Sequence, residues 1–181
     1  FCCAYALSYY TGVDSTKTST DTNRRASAIL RFGLKDQKLK TCFENIYYFL
    51  MKALSYLPYY WGKCLRAVNL SADEISRYEV GSVVSWIQFS SSTTSAKPPP
   101  YFALRNTYFY IYSLTGRSIQ KFSNFNAENE VLFSPYSTFL VCKKSHSEGK
   151  NHIYLRQIDV GVNRNVILWV DDQIFNEQWE N

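Results

Sequence analysis

The chain has 181 residues, 20 Lys+Arg against 15 Asp+Glu, a formal net charge of +5, and 46% hydrophobic against 19% charged residues. That is the length of one domain with apolar material for a sizeable core, which excludes a disordered chain. No run approaches the roughly 18 apolar residues of a membrane helix, and two histidines (His146, His152) without HExxH or paired CxxC spacing argue against a zinc enzyme.

In chain order, residues 14–22 are Ser, Thr, Asp and Lys and read as a surface loop. A short helix is expected over Asn23–Phe32. From Phe43, apolar residues at Ile46, Tyr47, Leu50, Met51 and Leu54 make the i, i+3, i+4, i+7 stripe of a helix closed by Pro58. Tyr59–Val68 is a strand candidate. Ser71 and Glu74 have capping-box spacing and predict a short helix. Short strands follow at about 82–90, 106–113, 129–134, 137–143, 152–160 and 166–170. Ser90–Pro100 reads as a loop, and Lys144–Asn151 as a hairpin tip. Helices first and antiparallel-type strands later predict an α+β fold.

Charge is uneven. Residues 1–70 hold ten Lys/Arg and four Asp/Glu, whereas residues 71–181 hold ten and eleven. A basic face in residues 1–70 could meet an acidic partner or a diphosphate, but no block of five like charges occurs, so the basic half reads as an ordinary solvated helical surface. Four Trp, 15 Tyr and 12 Phe make 17% of the chain aromatic. Such rings suit pleated, half-buried surfaces, and they also line clefts for planar ligands. Five cysteines (Cys2, Cys3, Cys42, Cys64, Cys142) in no repeating pattern read as reduced and mostly buried, hence intracellular. The chain begins Phe-Cys-Cys rather than Met, which leaves open a preceding segment, a signal peptide included.

GxGxxG, GxxxxGK[ST] and GxSxG are absent, which weighs against a Rossmann dehydrogenase, a P-loop ATPase and an α/β-hydrolase. Three segments stand out instead. Lys63-Cys-Leu-Arg66-Ala67 ends an apolar strand with an Arg. Val83–Phe89 runs into the hydroxyl cluster Ser90–Ser95. Ala127-Glu128-Asn129-Glu130-Val-Leu-Phe-Ser-Pro135 sets two carboxylates one residue apart at a strand entrance. Alone, each has a bland reading: a surface cation, a polar loop, a charged edge strand.

In order, the three segments resemble the Arg, Ser-Thr-Ser and Glu-x-Glu motifs of the ADP-ribosyltransferases of the Arg–Ser–Glu class, the cholera-toxin-like, arginine-specific group. Glu128–Pro135 carries most of the likeness, followed by Phe139-Leu-Val141, with Leu114–Ile119 resembling the family's segment ahead of the carboxylates. The resemblance covers roughly residues 40–160. It implies an α+β fold of two small antiparallel β-sheets forming an NAD cleft, with N-terminal helices, and a single catalytic domain over 1–170. Residues 171–181 would be an acidic tail or the start of a following domain.

The implied activity is mono-ADP-ribosyl transfer from NAD, as substrate, to a protein arginine with release of nicotinamide. The alternatives are an NAD glycohydrolase and an inactive NAD-binding module. By the resemblance, Glu130 stabilises an oxocarbenium-like transition state at the nicotinamide ribose. Arg66 forks onto the diphosphate and ribose. Ser91 holds Glu130 and the ribose, and Thr93 supports the same strand end. Glu128 orients the acceptor guanidinium and takes its proton. Period 2 would aim Glu128 and Glu130 into one cleft from an extended segment.

Two positions depart from the family pattern. Ala67 stands where Gly is usual beside the motif Arg, and Ser91-Ser92-Thr93 stands for Ser-Thr-Ser, so Ser90 and Ser92 stay open as the register. For a ring stacked on nicotinamide the candidates are Phe109, Tyr108, Tyr110 and Phe122. The expected partners are NAD and an acceptor protein, with no metal, membrane or nucleic acid, in the cytoplasm.

Overall fold

The computed structural model describes residues 2–11, 37–96, 102–124 and 128–159, with side chains from Glu44 onward in the long helix. The helix expected over 23–32, the loop over 14–22, the strand over 166–170 and the tail over 171–181 lie outside the described residues.

Among the described residues two helices come first: α1 (Cys2–Tyr10) and α2 (Gln37–Ser55). The apolar stripe of α2 is where periodicity places it. Leu50, Ala53 and Leu54 are buried against Ala6, Leu7 and Tyr10 of α1, with Tyr47 and Met51 packed alongside. Pro58 lies three residues beyond the end of α2, and the Ser55 hydroxyl donates back to the Lys52 carbonyl at 2.7 Å. Neither helix is long and apolar enough to cross a membrane.

Strand β1 (Tyr59–Val68) is followed by the one-turn helix α3 (Ala72–Ser76). The capping box is present: the Ser71 hydroxyl accepts from the Glu74 amide, and the Glu74 carboxylate accepts from the Ser71 amide. Then come β2 (Val83–Trp86), β3 (Ser90–Thr93), β4 (Thr107–Ser118), a 3-10 turn at Gln120–Phe122, β5 (Glu130–Phe133), β6 (Ser137–Ser147) and β7 (Lys150–Ile158). The strands are ordered β1-β3-β5-β4-β7-β6-β2, and β1 also pairs with β4 along most of its length. The α+β class and leading helices agree with expectation. The strands form two arms of one hydrogen-bonded network, because β1 and β4 belong to both. Among the described residues all pairs are antiparallel except β4 with β7.

Four boundaries differ from the sequence reading, and the first is that of β4, expected at about 106–113, which continues to Ser118. The run 82–90 is cut at Ile87–Phe89, because the Phe89 ring leaves the sheet for the helical cluster, against Tyr10 and Tyr47. Ser90–Thr93 is a strand rather than the start of a loop. Its side chains are polar, and its backbone is paired to β5 and touches β1 at Leu65. The hairpin tip shrinks to Glu148-Gly149, both with positive φ (51° and 71°), so β6 and β7 continue almost to the turn.

Two cores meet at β5. Leu132 packs into the helical cluster with Phe89 and Ile119. Val131 and Phe133 point the other way, into the sheet cluster of Phe109, Ile111, Phe139, Ile153 and Leu155. Strand β4 reaches β5 by turning away from β7 near Gly116. The Gln157 amide oxygen accepts from the Leu114 and Thr115 amides there, at 2.9 Å each. A Cβ at Gly116 would stand 2.6 Å from Ser113 Oγ and 2.8 Å from Val131 Cγ1. Gly116→Ala is therefore expected to lower stability by about 1–3 kcal/mol through overpacking, read as a reduced urea midpoint with unchanged slope.

Candidate active site

The three sequence motifs converge where β1, β3 and β5 lie side by side. Arg66 comes from β1, Ser91 and Thr93 from β3, and Glu130 opens β5. The β3–β5 register pairs Ser91 with Leu132, Ser92 with Val131 and Thr93 with Glu130. Paired residues share a face of the sheet, so Ser91, Thr93, Glu130 and Leu132 lie together, while Ser90 and Ser92 face the opposite side. The Ser92 hydroxyl is spent on the Val131 carbonyl at 2.9 Å, and that of Ser90 on the Gln88 carbonyl at 3.3 Å. Among the three serines the register left open, Ser91 is the one bonded to Glu130.

Ser91 joins the cation to the carboxyl. Arg66 donates to the Ser91 carbonyl at 2.5 Å. The Ser91 side chain is hydrogen-bonded to Glu130. Glu130 is 5% exposed, and burial is the first of several influences on its carboxyl. Desolvation pushes it up, the Ser91 hydrogen bond pulls it down, nearby Glu128 pushes it up and Arg66 pulls it down, leaving it at about 7. Arg66 is pulled down by burial and held up by Tyr10, Tyr78 and Glu130, and a guanidinium stays charged regardless.

An aromatic floor lies under Arg66. Its guanidinium stands 5.6 Å from the centroid of the Trp86 ring. Trp86 donates from Nε1 to the Tyr78 hydroxyl at 3.0 Å. Phe109 is 2% exposed, with its ring 4.9 Å from that of Tyr78 and 5.3 Å from that of Trp86. This corrects the reading of Phe109 as a nicotinamide-stacking ring: it is the register partner of Arg66 and a buried part of the sheet core, packed at a tilt against two protein rings. Tyr108 is buried and Tyr110 stacks on Tyr154, whereas Phe122 is exposed. Trp86 and Tyr78 were not singled out from sequence. The signal was Trp86 itself, four residues ahead of the hydroxyl cluster in a strand that ends there.

Ala67 lies in regular β1 opposite Tyr108 and is not among the residues of positive φ. The backbone beside Arg66 therefore requires no glycine.

Glu128 and Glu130 are close enough to interact, but not through a pleat. Strand β5 begins at Glu130, and Asn129 has φ 47°, in the left-handed region. The expectation of one extended segment is thus corrected. A left-handed residue between the carboxylates ends the two-residue alternation, and Glu128 approaches from a turn. Glu128 is half-buried, and its carboxyl is raised by desolvation. Thr93 supports this turn: its hydroxyl donates to the Glu128 carbonyl at 2.6 Å and accepts from the Ser95 amide at 3.0 Å. Among the described residues no three His, Cys, Asp or Glu side chains group as metal ligands, and Cys2, Cys3, Cys64 and Cys142 are free thiols.

The model of the family ART, NAD:arginine ADP-ribosyltransferase, matches residues 5–161. The chain is 35% identical over 117 residues to the Mycobacterium avium (strain 104) protein Mav, named as an NAD(+)–arginine ADP-ribosyltransferase, covering 64% of this chain and 14% of that protein. It is 36% identical over 76 residues to the erythroblast NAD(P)(+)–arginine ADP-ribosyltransferase of Gallus gallus, covering 42% of this chain and 25% of that protein. The chain thus spans a small part of both relatives. Among solved structures, the ADP-ribosyltransferase HopU1 of Pseudomonas syringae pv. tomato DC3000 superposes with a TM-score of 0.67 at 22% identity, over 86% of this chain and 76% of that one. At that identity the likeness is one of fold.

The raised carboxyl makes a stability prediction. Its folded value, about 7, lies above the ordinary 4.5, so between these the folded state holds the proton more tightly than the unfolded state. The contribution of Glu130 to stability is therefore greatest below 4.5 and declines as pH rises through 7. Glu130→Gln, which cannot ionise, should be more stable than the parent at pH 8 and nearly equal to it at pH 4.5. Chemical denaturation at the two pH values measures this.

Proposed function

We propose, from the premise that this chain belongs to the NAD:arginine ADP-ribosyltransferase family, that it transfers ADP-ribose from NAD to a protein arginine and releases nicotinamide. The observation that carries the reading is the buried Glu130 carboxyl, bonded to Ser91 and attracted by Arg66, with Glu128 beside it.

In this mechanism Arg66 binds the diphosphate and ribose of NAD. Its carbonyl partner on Ser91 and the Trp86 ring below hold the guanidinium plane. Glu130 accepts a hydrogen bond from the nicotinamide ribose. As the bond from C1′ to the nicotinamide nitrogen lengthens, positive charge moves onto the ribose. A buried carboxylate opposes that charge more effectively than one in water. Nicotinamide leaves with the bonding electron pair. A guanidinium nitrogen of the acceptor then attacks C1′, and Glu128 takes the proton it sheds. The placement of Glu128 near Glu130 favours transfer over simple hydrolysis, in which water would take the place of the guanidinium.

NAD and an acceptor arginine are the partners this chemistry needs, and cytoplasm is the proposed location, with the free thiols in support. The catalytic unit would occupy residues 1–170.

Two variants and the pH profiles of the parent test the reading. Glu130→Gln should keep the fold and lower turnover on the order of a thousandfold, while Glu128→Gln should lower transfer to an arginine analogue about a hundredfold and NAD hydrolysis far less. Full activity of Glu130→Gln contradicts the assignment. In the parent enzyme, kcat/KM for NAD should rise with pH through about 7, as Glu130 ionises in the free enzyme. The kcat profile should rise at lower pH, because the bound cationic nicotinamide ring favours the carboxylate.

A further inference from the structure

The two carboxylates of the site are separated by one residue, and that residue has the least ordinary backbone in the motif. Asn129 has φ 47°. Asparagine tolerates the left-handed region better than most residues, whereas β-branched side chains are strongly disfavoured there. With Asn129 extended, β5 would continue backwards through Glu128. With Asn129 left-handed, the strand stops at Glu130 and Glu128 is carried on a separate turn.

That turn is tied to the end of β3 by three contacts. Thr93 Oγ1 donates to the Glu128 carbonyl at 2.6 Å, and the Thr94 amide donates to the Asn129 carbonyl at 3.2 Å. Asn129 Nδ2 reaches Ser95 Oγ at the long distance of 3.5 Å. The first two fasten backbone, and the third is the weakest. The side chain of Asn129 is thus less important than the conformation it permits. Glu130 is held by another route, with its backbone in the β3–β5 ladder and its carboxyl on Ser91.

We propose that Asn129 is a positioning residue for the acceptor side of the reaction: its left-handed turn, fastened by Thr93 and Thr94, sets Glu128 against the incoming guanidinium without taking part in holding NAD. This rests on the function proposed above. The turn then decides how the ADP-ribosyl group divides between arginine and water, separately from how fast nicotinamide leaves.

The test compares Asn129→Val, Asn129→Gly and Glu128→Gln, measuring nicotinamide release and labelling of a free arginine analogue in one reaction. Nicotinamide release also reports whether each variant is folded. Asn129→Val should lower labelling at least about tenfold more than nicotinamide release, while Asn129→Gly stays within about threefold of the parent in both. The KM for NAD should be unchanged in both. Equal loss of both activities in Asn129→Val, or no loss of labelling, overturns the proposal. So does a selective loss in Asn129→Gly, which would place the effect in the amide side chain. If Glu128→Gln labels the analogue as well as the parent, the function reading itself fails. If Glu128→Gln loses labelling and Asn129→Val does not, only the present inference fails.

Discussion

Ser91 is the residue on which the site depends, because it is bonded to both charged groups at once. Its carbonyl takes a hydrogen bond from Arg66, and its side chain is bonded to Glu130. A buried carboxyl and a buried guanidinium left alone would each suffer desolvation. Here the burial pushes the carboxyl up and the guanidinium down, and each partner partly restores the other. The result is a carboxyl poised near neutrality rather than one locked into a tight ion pair. The carboxylate that opposes the developing positive charge therefore forms as pH rises through about 7.

The fold supplies the approach of these groups through a four-residue strand. Strand β3 lies between β1, which carries Arg66, and β5, which begins with Glu130. Its hydroxyls are divided by the pleat. Ser91 and Thr93 face Glu130, while Ser92 bonds back to the Val131 carbonyl. On the far side, Phe109, Tyr78 and Trp86 make a rigid aromatic bed under Arg66. The aromatic excess of the chain thus serves in part as core and support. The two cores meeting at β5 fix the strand from both faces, so the carboxyl at its start has little freedom to drift.

Much of this was legible in the sequence, for identifiable reasons. The α2 stripe, the capping box at Ser71 and strand β1 follow from periodicity and local hydrogen bonding, which act over a few residues. The spacing of Arg66, the serine cluster and the carboxylates was readable as a family resemblance, and these motifs do converge. Strand β3 was not readable as a strand, because four hydroxyl residues carry no apolar alternation and pair only through tertiary contact. Phe109 looked available for a ligand because sequence does not reveal which face of a strand is roofed. The turn at Asn129 escaped because two-residue periodicity presumes an extended backbone. The residue type was a clue, since Asn often occupies left-handed positions.

The most direct measurement incubates the protein with NAD in the presence and absence of a free arginine analogue, following nicotinamide, free ADP-ribose and labelled analogue together. The account predicts nicotinamide release in which labelled analogue, rather than free ADP-ribose, is the dominant product when the analogue is present. Nicotinamide release matched by free ADP-ribose alone, with the analogue unlabelled at saturating concentration, would contradict it.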